Sequence, residues 1–152
     1  MSTKAIVLDA NILIRSVLGK RVRQLILNHA STVQFFAPDV AYADARKYLP
    51  ELLKKRGVES DSAMRLLELL ETIVISLDIE LYAPLRAQAL SRIAMRDAAD
   101  WPVLACALTV DCPIWTEDAD FFGTGVATWT SDRVELYRLD TTDFIYEHTH
   151  SL

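Results

Sequence analysis

Five short apolar runs punctuate this chain at residues 4–8, 33–37, 74–77, 113–116 and 126–129, and helical patterning fills the intervals between them. Runs of four or five residues that are rich in Val, Ile, Phe and Trp and end at polar residues read as buried strands. Between them the period lengthens, predicting helices over 11–18, 20–29, 60–73 and 79–94. A long helix is expected after Pro38-Asp39, with Asp39 as a possible cap, and Pro50 is expected to kink it or start a new helix. An apolar helix begins at Asp100, and a short helix is expected near 131–137. Strands alternating with helices predict an α/β fold whose parallel sheet is covered on both faces. At 152 residues with no repeat or linker, the chain is expected to be one domain, with a polar tail over about 140–152.

Composition narrows the setting. Half of the residues are hydrophobic, enough for a core without staples, and Cys106 and Cys112 read as reduced thiols of a cytosolic protein. The start, Met1-Ser2-Thr3-Lys4, runs into a strand with no secretory segment, and the longest apolar run, 101–110, is too short to span a bilayer. The expectation is a soluble, cytoplasmic protein with no membrane partner. A net charge of −5 argues against a surface coated in basic residues for non-specific nucleic-acid binding. It leaves room for a nuclease whose acids are grouped around metal ions.

The acids fall where such a site would form. In open α/β sheets, ligands bind beyond the carboxyl ends of the strands. Asp9 directly follows the first strand, and Asp118 and Asp120 follow the strand at 113–116. Asp100 opens the helix that leads into that strand. In the helix after the second strand, Val40, Ala41, Asp44, Ala45, Tyr48, Leu49 and Leu52 recur at spacings of three and four, which puts Asp44 within the apolar stripe. Each acid has a local alternative: Asp9 or Asp100 as a helix cap, Asp118 or Asp120 as a turn residue, Asp44 paired with an arginine. Held together, their mutual repulsion would raise their pKa values. A hard cation such as Mg²⁺ or Mn²⁺ would relieve that repulsion, accept a phosphate oxygen as a further ligand and activate water for in-line attack. Phe121 and Phe122 are expected to anchor the acidic segment, with Glu117 turned to solvent or to a basic neighbour.

Four pieces of the chain, in order, resemble PIN-domain ribonucleases, and most of all the VapC-type toxins of bacterial type II toxin–antitoxin pairs. They are Val7-Leu8-Asp9-Ala10-Asn11-Ile12-Leu13; Pro38 with Asp44 six residues on; the run from Asp100 to Leu108; and Ile114-Trp115-Thr116-Glu117-Asp118-Ala119-Asp120-Phe121-Phe122-Gly123. The resemblance implies a three-layer α/β/α sandwich around a parallel sheet. It implies an acidic site of Asp9, Asp44, Asp100 and Asp118 with Asp120 close by, and Asn11 and Thr116 orienting carboxylates or water. It implies hydrolysis of RNA dependent on Mg²⁺ or Mn²⁺ held by Asp9, Asp100, Asp118 and Asp120, a homodimer, and a cognate antitoxin. The family usually carries glutamate where this chain has Asp44, and aspartate reaches about 1.5 Å less far. Asp97 competes with Asp100, which is preferred because it directly precedes the apolar helix.

Other readings compete. A PIN nuclease that processes RNA without being a toxin shares the same acids. A degenerate, non-catalytic interaction module draws support from Asp44. A phosphotransfer domain with Asp9 as nucleophile would want a second aspartate where Asn11 stands. His29, His148 and His150 lie apart from any nucleophile. Arg15, Arg21, Arg23, Arg92 and Arg96 are candidates for RNA phosphates, although solvated helix faces account for them equally simply. Trp101 and Trp115 read as core, and Gly123-Thr124-Gly125 as a turn.

Overall fold

The computed structural model describes residues 4–138, so the polar tail, with His148 and His150, lies outside the described residues. The chain runs β1 (Lys4–Leu8), α1 (Ala10–Leu18), α2 (Lys20–Asn28), β2 (Val33–Pro38), α3 (Asp39–Lys55), α4 (Ser60–Glu71) and β3 (Val74–Leu77). It continues with α5 (Ile79–Tyr82), α6 (Arg86–Asp97), α7 (Trp101–Val110), β4 (Ile114–Trp115), β5 (Thr128–Trp129) and α8 (Val134–Arg138). The five strands form one sheet in the order β3-β2-β1-β4-β5. Every pairing is parallel, with Val7 opposite Phe36 on one side and Ile114 on the other.

The pleat sends successive side chains to opposite faces, which divides the core in two. Ile6, Leu8 and Trp115 pack with residues of α1 to α4. Val7 and Ile114 pack on the other face with Tyr82, Ala89, Ile93 and residues 103–107. The sheet is thus the middle layer of an α/β/α sandwich, as expected. Among the described residues no helix is long and apolar enough to cross a membrane.

The strand order sets where a ligand can bind. The chain steps from β1 to β2 to β3 in one direction, then returns and lays β4 on the far side of β1. Connections that diverge in this way leave a crevice at the carboxyl ends of β1 and β4. Asp9 and Thr116 are the residues that follow those two strands.

Several local expectations are corrected. No new helix starts at Pro50: α3 continues through it, with Leu49 and Leu53 on either side buried and holding the helix against the core. The helix expected over 79–94 is divided, with a 3₁₀ turn at Ala83–Leu85 where Pro84 lacks the N–H that would continue the ladder. Asp39 is the first residue of α3, and Pro38 takes the cap position. The Asp39 carboxylate accepts from Val40 N (2.8 Å) in the first turn of α3, and also from Ile79 N (3.0 Å) and Tyr82 Oη (2.5 Å), tying the end of β2 to α5. The last two strands shrink to two residues each, and the final helix starts at Val134.

Candidate functional site

Asp9 is the most tightly held of the acids. It caps α1 through its side chain, with Oδ1 accepting from Ile12 N at 3.0 Å. Its Oδ2 accepts a short hydrogen bond from Thr116 Oγ1. Capping and site membership are therefore not alternatives here. Only 7% of Asp9 is exposed, and burial pushes its pKa up, opposed by the bonds from Thr116 and Ile12 and reinforced by Asp118 and Glu117.

Thr116 extends the β4 ladder, its N–H donating to Trp129 O at 3.0 Å, and its side chain is fully buried. The hydroxyl that donates to Asp9 also accepts from Asp118 N at 2.9 Å. Asp118 Oδ1 in turn accepts from Asp120 N at 2.9 Å, turning the chain into a 3₁₀ turn at Ala119–Phe121. One chain of hydrogen bonds thus runs from Asp9 through Thr116 and Asp118 to Asp120. Phe121 anchors this turn at 1% exposure, but Phe122 is 45% exposed and is not an anchor. Glu117 points away, accepting from Ser131 N at 2.6 Å with Arg15 at 3.9 Å.

Asp100 stands at the cap position of α7 yet makes no capping bond. Its Oδ2 is buried without a hydrogen-bond partner, which is costly for a carboxylate that has nothing to bind. Burial, then the charges of Asp97, Asp118 and Asp120, push its pKa up to about 7.

The structure brings Asp9, Asn11, Asp44, Asp100 and Asp118 into one cleft of about 220 Å³. Asp44 reaches it by a route that corrects the expected burial. Ala41, Ala45 and Leu49 form the buried face of α3, while Val40, Asp44 and Tyr48 form an exposed edge that walls the cleft. The apolar stripe is wide enough to serve both. Asp120 stands apart from the cleft lining, and with Asp97 and Asp100 it forms a set whose carboxylate oxygens lie within 4.8 Å of one another. Asp97 and Asp100 are therefore neighbours rather than competitors, and Asp97 is the acid that sequence reasoning set aside. Its signal was the three-residue spacing to Asp100 across a helix junction.

This donor set suits a hard cation. The candidate ligands are all carboxylate oxygens, the buried Asp100 Oδ2 has no hydrogen-bond partner, and the acids around Asp100 raise its pKa together with burial. The arginines are mostly engaged internally: Arg21 pairs with Asp132 at 3.0 Å, and Arg23 donates to Ser16 O and Val17 O. Trp115 is buried, its Nε1 donating to Ser131 Oγ, whereas Trp101 is half-buried beneath Arg86 and beside Tyr82.

The chain and its fold are similar to known proteins. The PIN domain family matches residues 7–139. The structure of VapBC2 from Rickettsia felis bound to a promoter DNA fragment matches with a TM-score of 0.59 at 12% identity, covering 83% of this chain and 98% of that one. FitAcB from Neisseria gonorrhoeae matches with a TM-score of 0.56 at 24% identity, covering 83% of this chain and 97% of that one. VapBC-1 from nontypeable Haemophilus influenzae matches with a TM-score of 0.52 at 20% identity, covering 85% of this chain and 99% of that one. No curated protein sequence matches.

Proposed function

The chain belongs to the PIN domain family, and on that premise we propose that it is a metal-dependent endoribonuclease and the toxin of a toxin–antitoxin pair. The observation that carries the reading is the meeting of Asp9, Asp44, Asp100 and Asp118, from four separate stretches of chain, in one cleft at the carboxyl edge of the sheet. Asp9, Asp100 and Asp118, with Asp120 beside them, would hold Mg²⁺ or Mn²⁺. When bound, the ion would supply Lewis-acid stabilisation of a phosphodiester oxygen and lower the pKa of water.

The chain's own residues prepare that chemistry. Thr116 and the Ile12 N–H fix both oxygens of Asp9, so the carboxylate is oriented before any ligand arrives. Asp118 is fixed through Asp120 N. Burial and the neighbouring acids raise the Asp100 pKa to about 7, so the group is only part-ionised at neutral pH and a bound cation would favour its charged form. Asp44 and Asn11 line the same cleft, where the shorter Asp44 would reach substrate or nucleophile through water.

Solved structures with this fold include those of VapBC and FitAB, which supports an antitoxin protein as partner. A homodimer, RNA as substrate and a cytoplasmic location complete the reading. An RNA-processing enzyme that is not a toxin would use the same atoms and differ only in lacking an antitoxin. Incubating the purified protein with mixed RNA tests the reading: cleavage requires Mg²⁺ or Mn²⁺ and stops in EDTA. A protein that binds RNA without cutting it under any divalent ion is the non-catalytic alternative.

A further inference from the structure

Arg92 and Arg96 lie four residues apart on α6, so they share a face, and both reach the loop that carries Asp120. Arg92 Nη1 donates to Thr124 O at 3.1 Å, and Arg96 Nη1 donates to Asp120 O at 3.1 Å. The loop is shaped to admit them. Gly123 and Gly125 adopt φ of +80° and +88°, the left-handed region that favours glycine. A Cβ on Gly123 would lie 3.0 Å from Arg96 Nη2, and one on Gly125 2.9 Å from Arg92 Nη1. Backbone conformation and the missing side chain thus meet at each guanidinium.

The two arginines hold different things. Arg92 holds the carbonyl of Thr124, whose buried side chain is already bonded to Phe121 O at 2.8 Å. That contact fastens the far end of the loop. Arg96 holds the backbone of Asp120, whose carboxylate lies with those of Asp97 and Asp100. Arg96 also directly precedes Asp97 in sequence. It therefore links the last turn of α6 to two of the three clustered acids.

We propose that Arg96 is a positioning residue: by fixing the Asp120 carbonyl it sets the direction in which the Asp120 carboxylate would meet the cation. The proposal rests on the metal-dependent reading above. A charged donor makes this bond stronger than a neutral one would. Partners that orient a metal ligand typically contribute 10–100-fold in metal affinity.

The test is calorimetric titration of the full chain with Mn²⁺ alone, alongside thermal melts without metal. Arg96 is exposed, so Arg96→Gln removes no core packing. Arg96→Gln is expected to weaken Mn²⁺ binding about tenfold or more. Arg92→Gln is expected to lower the melting temperature similarly while leaving Mn²⁺ affinity within about twofold of wild type, and Arg96→Lys to recover part of the loss. Unchanged affinity in Arg96→Gln, or an equal loss in Arg92→Gln, overturns the proposal while leaving the metal-dependent reading intact. If Arg96→Gln does not fold, Arg96→Lys decides, with wild-type affinity counting against the proposal. Wild-type protein that binds no Mn²⁺ overturns the reading and this proposal together.

Discussion

Thr116 Oγ1 donates to Asp9 Oδ2 and so joins the residue after β4 to the residue after β1. The bond ties together the carboxyl ends of the adjacent strands β1 and β4. It gives the first acid a fixed orientation, because the other Asp9 oxygen is taken by Ile12 N. The same hydroxyl accepts from Asp118 N, so one threonine sets two of the proposed ligands.

Removing that hydroxyl tests the relationship. Thr116→Val keeps the shape but leaves the Asp118 N–H and the buried Asp9 oxygen without their partner. It is expected to cost about 1–3 kcal/mol of stability and to lower the rate of RNA cleavage, with Thr116→Ser restoring most of both. Urea unfolding and cleavage rates check the two effects.

Burial of Asp100, together with the acids around it, predicts a pH dependence with a definite sign. Its folded pKa of about 7 lies above the ordinary value of 3.8, so the folded protein retains a proton that the unfolded chain releases. The stability this contributes is fully present below pH 3.8 and is lost as pH rises through 7. Metal-free Asp100→Asn should therefore gain melting temperature over wild type at pH 8, and the gain should shrink towards pH 5. Excess Mn²⁺ should stabilise wild type more than the variant. Melts at the two pH values with and without Mn²⁺ measure this.

The two phenylalanines behind the acids should separate cleanly. Phe121 is buried to 1% exposure, and Phe121→Ala is expected to cost about 3–5 kcal/mol. Phe122 is 45% exposed, and Phe122→Ala should change stability by about 0.5 kcal/mol or less. Chemical denaturation of both variants checks it.

Asp44 tests whether the far wall of the cleft takes part. Asp44→Asn is expected to reduce cleavage about 10–100-fold. Asp44→Glu, which restores about 1.5 Å of reach, is expected to retain or raise it. Equal activity in all three proteins would remove Asp44 from the site.

What the sequence revealed follows from how each signal is encoded. Asp9 and Asp118 were legible because each follows a short apolar strand, and a parallel sheet puts such residues at one edge. Asp44 was legible as unusual but misjudged as buried, since helical periodicity cannot tell a core face from a cleft wall made by the same stripe. Pro50 and Pro84 carry the same local signal, yet a helix continues through the first and is interrupted at the second. Leu49 and Leu53 override the first through tertiary packing, whereas a helix does break at the second. Asp97 was passed over because a one-dimensional pattern offered no reason to keep two acids at one junction. The contacts of Arg92 and Arg96 were invisible, because they connect helix side chains to carbonyls of a distant loop.

The central claim is that these aspartates form a working metal-dependent cleavage site, and Asp9→Asn tests it most directly. The substitution keeps a side-chain oxygen for Ile12 N and leaves the fold in place, while removing the charge that would hold the ion. Wild-type protein and the variant are compared on the same RNA with Mn²⁺ present. The account predicts rapid cutting by wild type and loss of cleavage in the variant at unchanged circular dichroism. Equal cutting by both proteins would contradict it.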